Sequence, residues 1–412
     1  MLKNFQNIGP GFLLAGAAIG VSHLVQATRA GAEYGWILIT ALLIACISKY
    51  PFLMLGPRYT AATGKNLIEG YKRLGKFQYY TYAVITLGSM FIILAAVSLV
   101  TAGIAAYFIP LEISLTSWCI MLLTLCFIIL FLGKYSALDS SMKIIISLLS
   151  LLTFCAVIIA AIKVDHSKIM NTHPSLTSMS SIAFIIAFMG WMPIPIDASI
   201  WHSIWTKEKS IQTGKKTSAQ DAIWDFNIGY IAASAIGILF FMLGVLVMYG
   251  SGMEFSSSSV QFSAQLVNLY ALTLGDWTKL FIAAAAFITM FSTTLSVADA
   301  YPRLVTEFFS IEKKLLKINK NKVYIIAMLC IGLVSTGIIH YGSNQFTLLV
   351  DFAAGLSFLA SPVLAWFNFQ LFTQKEIPDE FKLSTTFRLF SLACLASLVI
   401  FNIVYFWFMF YV

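Results

Sequence analysis

Eleven runs of apolar residues recur along this chain, near 9–34, 36–56, 79–108, 113–133, 137–163, 180–206, 226–249, 277–309, 323–341, 345–373 and 386–411. Each is close to the ~20 residues of helix that cross the hydrocarbon of a bilayer. Backbone in lipid must satisfy its own polar groups, so such runs fold as helices. Of 412 residues, 59% are hydrophobic and only 11% charged, against about 25% charged in soluble proteins. That is too little polar surface to cover a globule in water. The expected fold class is an all-α integral membrane protein of about eleven transmembrane helices, forming a single domain over residues 1–412. Met1 to Pro10 is short and polar, and the run after it leads into further spans, so no cleavable leader is expected.

Lysine and arginine set the orientation. With the N-terminus cytoplasmic, the inside segments hold twenty of them: Lys3; Arg58, Lys65, Lys72, Arg73 and Lys76; Lys134; Lys207, Lys209, Lys215 and Lys216; Arg303, Lys313, Lys314, Lys317, Lys320 and Lys322; Lys375, Lys382 and Arg388. The outside loops hold three, Lys163, Lys168 and Lys279. This predicts a multi-pass protein of the inner (plasma) membrane with its C-terminus outside. It also accounts for the net charge of +8 without a nucleic-acid partner. The six cysteines (Cys46, Cys119, Cys126, Cys155, Cys330, Cys394) lie in apolar runs with no CxxC pair, and read as small buried hydrophobes.

Ten runs divide into two sets of five, about 9–163 and 180–373, with 386–411 extra. Five is odd, so the second set enters the membrane from the opposite side, which is the arithmetic of an inverted repeat. The first run of each set carries an interruption. Run 1 has Gly20, Val21, Ser22 and His23 near its centre; run 6 has "MGWMPIPID", with Pro193 and Pro195 at mid-span. Proline removes a backbone donor and clashes with the preceding turn, so this pair should unwind the helix. Many membrane prolines merely kink, and Gly16 and Gly20 also have small-xxx-small packing spacing. Interruptions at corresponding positions of two halves nevertheless point to a transporter's substrate site.

The segments "GPGFLLAGAAIG" and "RAGAEYGW", then "MLGPRYTAATGKNLIEGYKRLG" (Met54 to Gly75) and "FSTTLSVADAYPRLVTEFF" (Phe291 to Phe309), resemble helices 1, 2 and 8 of the Nramp family of proton-coupled divalent metal transporters. The resemblance implies a LeuT-type fold: a five-plus-five inverted repeat with helices 1 and 6 unwound at mid-membrane. It also marks departures at the site. Where the family carries Asp-Pro-Gly-Asn, this chain has Gly20, Val21, Ser22 and His23, so the metal-binding aspartate is replaced by Gly20. Where the family has Met-Pro-His, this chain has Met192, Pro193 and Ile194. The acidic residues of the family's helix 3 are missing from "YYTYAVITLGSMFIILAAVSLVTAGIAAYF".

Two substrate readings follow. One is a divalent metal at an altered site built from His23, Met192 and backbone near Gly20, with Asp197 or Asp351 supplying charge. Such a site is soft and uncharged, suiting Cu, Zn or Ni better than Mn²⁺ or Mg²⁺. The other is a small neutral or anionic organic solute, held by helix ends with Ser22 and His23 and with Trp191 lining the cavity. The candidate substrate-binding residues are thus Gly20, Ser22, His23, Trp191, Met192 and Pro193. A sensor or scaffold without transport is disfavoured by the near absence of soluble domains.

Arg29, in the outer half of run 1, has Glu33 at i+4 and Asp197 or Asp351 as possible partners for a gate or a structural staple. Asp225 and Asp299 fall near cytoplasmic ends, where water is the expected surrounding. Ser292, Thr293 and Ser296 form a candidate coupling-ion site, since the LeuT-type fold places one between helices 1 and 8; hydroxyls also serve as interhelical glue. Trp201 and Trp205 read as an interfacial aromatic belt. His166 and His173, with Asp165, read as a solvated loop. No Walker A, nucleophile elbow or HExxH is present, so neither an enzyme nor a resident cofactor is expected. The expected partners are the transported solute or metal ion and membrane lipid.

Overall fold

The computed structural model describes residues 9–132, 135–163, 176, 178–214, 217–251, 255–312, 319–342 and 345–411, with only the helical backbone described over 135–146. Lys134, Asp165, His166 and His173 thus lie outside the described residues. Among the described residues all regular structure is helical.

Run 1 folds in pieces. Helix α1 (Pro10–Ala18) opens on Pro10, where the missing N–H costs nothing. Ile19 then leaves helical geometry, a π-helical turn covers Ser22–Ala27, and α2 (Thr28–Tyr34) follows. Gly35 ends α2 at φ +62, a conformation that favours glycine. After it come α3 (Ile39–Thr63), the short α4 (Leu67–Leu74), α5 (Lys76–Phe108), α6 (Leu115–Phe131) and α7 (Tyr135–Lys163). A capping box starts α4: Asn66 accepts from the Glu69 N–H and Glu69 accepts from the Asn66 N–H.

Run 6 also breaks, into α8 (Met179–Trp191) and α9 (Ala198–Thr213), with non-helical backbone over 192–197. The remainder is α10 (Ala219–Val247), α11 (Ser259–Leu274), α12 (Thr278–Ile311), α13 (Lys320–Gly342), α14 (Phe346–Leu371) and α15 (Thr385–Tyr411). Among the described residues, seven helical segments qualify by length and composition as membrane spans, one of them Ser22–Thr63, which Gly35 interrupts, and three shorter apolar helices accompany them.

The outer wall carries exposed Leu43, Ile47, Leu87, Leu125, Ile231, Leu333 and Ile403. Such a surface is a liability in water and ordinary in lipid. Burial separates centre from periphery: 72% of the most apolar window of α12 is buried, against 22% for α15. The extra helix therefore sits at the edge. The broken helices sit inside, α1 and α2 packed on α10, α8 on α14 and α9 on α3.

Candidate functional site

The helix 1 break is shaped by what presses on it. A Cβ on Gly20 would lie 2.5 Å from Thr293 Oγ1 and 2.8 Å from its Cγ2, so helix α12 reaches the break only because residue 20 has no side chain. The Thr293 hydroxyl faces three carbonyls, Gly16 O and Ile19 O of the break at 3.4 Å each and its own Thr289 O at 3.2 Å. Of the three residues expected at a coupling-ion site, Thr293 meets helix 1; Ser292 and Ser296 are buried beside it on α12.

His23 is wholly buried. Nε2 lies 2.8 Å from Ala233 O of α10 and Nδ1 lies 2.7 Å from Ser22 Oγ, itself 2.7 Å from Ala18 O. A carbonyl only accepts, so Nε2 carries the proton and donates. Ser22 has a single hydroxyl hydrogen, which it donates to Ala18 O, and Nδ1 lies against the Ser22 oxygen. His23 Nε2 thus braces the break against α10, while Ser22 is on the wall of the cavity between the breaks. Met192 does come beside His23. Both pack against Gly237, where a Cβ would collide with the Met192 methyl and lie 3.5 Å from the His23 ring.

The helix 6 break has an occupant that sequence reading passed over. Lys49 is buried without exposure in the middle of α3. Its Nζ donates to Gly190 O at 2.7 Å, Met192 O at 2.9 Å and, at 3.4 Å, Ile194 O. The available signal was a lysine inside an apolar run, which is a functional suspect by default. Met192 and Pro193 are joined by a cis peptide bond. Trp191 donates from Nε1 to Ser357 Oγ of α14 at 3.0 Å.

Between the two breaks lies a cavity of about 40 Å³, room for a few waters. Ala18 and Ser22 line it from helix 1, Trp191, Pro195 and Trp201 from helix 6, and Thr293 and Tyr301 from α12; no carboxylate does. Trp201 and Tyr301 meet edge to face at 5.4 Å, and the buried Trp201 Nε1 has no hydrogen-bond partner. Trp201 and Trp205 are buried, so the expected aromatic belt is corrected. These rings face protein because α9 packs in the interior. Among the described residues no three His, Cys, Asp or Glu side chains cluster as a metal site needs.

The aspartates take separate places. Asp351 pairs with Arg29, Oδ1 to Nη1 at 2.9 Å, and accepts from Gln26 at 2.8 Å. Glu33 holds the other edge of the guanidinium at 3.2 Å, and Phe184 of α8 stacks beneath it at 4.7 Å. Asp197 is not Arg29's partner. It borders a second cavity of about 420 Å³ with Ser89 and Ser357 and has an unpartnered buried Oδ1. Asp225 and Asp299 are buried rather than in water. Asp225 accepts from Gly9 N and Gly11 N at 3.0 and 2.7 Å, anchoring the start of helix 1 to α10. Asp299 accepts from Arg303 and Tyr324, each at 2.6 Å, and Arg303 also binds Glu208 at 2.7 Å.

Two broken helices facing each other across a small central cavity, inside a bundle of apolar helices, define a multi-pass membrane transporter of LeuT-type fold. The chain belongs to the Nramp family: the family described as natural resistance-associated macrophage protein-like matches residues 11–408. Nramp proteins are membrane transporters, not enzymes. An uncharacterized protein of Pasteurella multocida is 36% identical over 380 residues, 91% of this chain and 86% of that protein. The structure of a manganese transporter of Eremococcus coleocola superposes with a TM-score of 0.69 at 14% identity, covering 97% of this chain and 85% of that one. MhsT, solved in complex with L-phenylalanine, superposes with a TM-score of 0.70 at 14% identity, covering 97% and 98%. At such identities the likeness is one of fold.

Proposed function

We propose that this protein is a secondary transporter of the inner membrane, working by alternating access with its N-terminus cytoplasmic. The chain acts as one unit of two inverted repeats, 9–163 and 180–373, with 386–411 appended. Substrate passes between the helix 1 and helix 6 breaks. The Arg29–Asp351 pair closes the outer side, and the Arg303, Glu208 and Asp299 network closes the inner side. Both are formed here, around a cavity of about 40 Å³, which supports reading this as an occluded state.

The substrate favoured is a small neutral or anionic organic solute, for which the closed cavity of about 40 Å³ would have to open. One observation supports this: the helix 6 carbonyls that a cation would use are already engaged. Lys49 holds them, His23 Nε2 donates to Ala233 O, and no carboxylate lines the cavity. A divalent ion would surrender hydration for carbonyls that already face an ammonium, with no carboxylate on the cavity wall. Trp191, Trp201 and Tyr301 supply apolar walls, and Trp201 an unused donor. The fold accommodates such cargo, since MhsT was solved with L-phenylalanine. A metal ion is the second reading, favoured by Nramp membership and by the Met192 sulfur beside His23.

The test is uptake into proteoliposomes of Mn²⁺, Mg²⁺, Zn²⁺ and Cu⁺ by the wild type and by His23→Ala and Met192→Ala. It is run beside a melting screen of uncharged and anionic organic solutes. The expected result is no metal uptake, with a stabilising solute whose effect Trp201→Ala removes. Uptake of one metal that Met192→Ala abolishes overturns the organic reading in favour of the metal one.

A further inference from the structure

Lys49 stands where a cation would be expected. Gly190 is in the last turn of α8, where carbonyls have no intrahelical donor and the helix dipole is negative. Met192 and Ile194 follow in the non-helical link, and the three carbonyls, two residues apart, converge on one Nζ. An ammonium has three hydrogens to give and no lone pair, so it matches three carbonyls by count. Asp197 follows three residues after Ile194, at the start of α9. A helix C-terminus and freed carbonyls make a cation site, and the tip of a side chain from α3 fills it.

We infer that Lys49 is a built-in cation: it occupies a monovalent-cation site on the helix 6 break and spares this transporter an ion there. Lys49 is therefore a positioning residue, holding the carbonyls of 190, 192 and 194 in the arrangement that frames the central cavity. Removing its side chain uncovers a site for an ion of ammonium class, such as potassium, ammonium or methylammonium. Carbonyl oxygens suit these weakly hydrated ions. Magnesium is disfavoured, because it demands octahedral geometry and carboxylates and sheds water reluctantly. The inference rests on the reading of the break as the working centre, but not on which solute is carried.

The experiment is thermal unfolding of purified full-length protein in choline chloride, with methylammonium, potassium or magnesium chloride added from 1 to 100 mM at constant ionic strength. Melting needs no transported substrate, so its result is separate from the uptake test. Lys49→Ala is expected to melt below the wild type and to rise by about 2–4 °C with methylammonium or potassium but not magnesium. The wild type is expected not to respond. A folded Lys49→Ala that no monovalent cation stabilises overturns the inference. If Lys49→Ala fails to fold in every salt, Lys49→Arg and Lys49→Gln decide. Arginine keeps charge and donors and is expected to melt near the wild type, whereas glutamine, which gives two hydrogens without charge, is expected to melt well below it. Glutamine as stable as the wild type also overturns the inference.

Discussion

Arg29 of α2 and Asp351 of α14 are joined by a 2.9 Å ion pair that ties the outer half of the first run to the start of the tenth. The guanidinium is more buried than its partner, with side-chain exposures of 9% and 23%. A pair in this half-wet position is strong enough to bias a closed state and weak enough to break. Asp351→Asn is expected to leave the fold intact and shift the population outward-open. The check is labelling of a cysteine at the cavity, Val21→Cys, by a charged thiol reagent added from outside. A rise of roughly 5–30-fold, corresponding to one or two kcal/mol, is expected. Unchanged labelling would show that the pair is only a staple.

Gly20 and Thr293 make a second testable contact. Gly20→Ala puts a Cβ 2.5 Å from Thr293 Oγ1, and overpacking of this kind costs about 1–3 kcal/mol. Thr293→Ala removes the nearest two atoms. The double variant is expected to melt closer to the wild type than Gly20→Ala does. Strict additivity of the two changes in denaturant unfolding would mean that the contact does not shape the break.

If His23 is a strut, its loss is a stability event and not a binding one. His23→Ala removes the cross-helix hydrogen bond to Ala233 O, at a cost of about 0.5–1.5 kcal/mol, while Ser22 keeps Ala18 O as its partner. Calorimetric titration with Zn²⁺ and Mn²⁺ is expected to show no specific heat for either protein. Zinc binding by the wild type that the variant loses would restore His23 as a ligand.

Asp225 anchors the start of helix 1 through the Gly9 and Gly11 N–H groups. Hydrogen bonds to a charged group contribute about 1.5–3 kcal/mol. Asp225→Ala is expected to free the start of helix 1, seen as faster proteolytic trimming of the N-terminus, while Asp225→Asn, which keeps one acceptor oxygen, is trimmed at an intermediate rate. Equal trimming of all three proteins would place the anchor elsewhere.

The sequence by itself determined the solvent, the architecture and where two of the helices break. Apolar runs of bilayer length can only be helices in lipid, and the Gly20 and Pro193/Pro195 interruptions at equivalent places in two sets of five mark where those helices break. These are properties of spacing, legible residue by residue. What only the tertiary structure decided was which polar groups remain free. Lys49 and Gly190 are 141 positions apart, His23 and Ala233 are 210 apart, and no local pattern announces either contact. The direction of Trp201, inward to Tyr301 rather than out to the interface, was set by the neighbours of α9. So was the choice of Asp351 over Asp197 as Arg29's partner. A site's chemistry depends on lone pairs and charges left over after packing, and packing is a property of the whole chain.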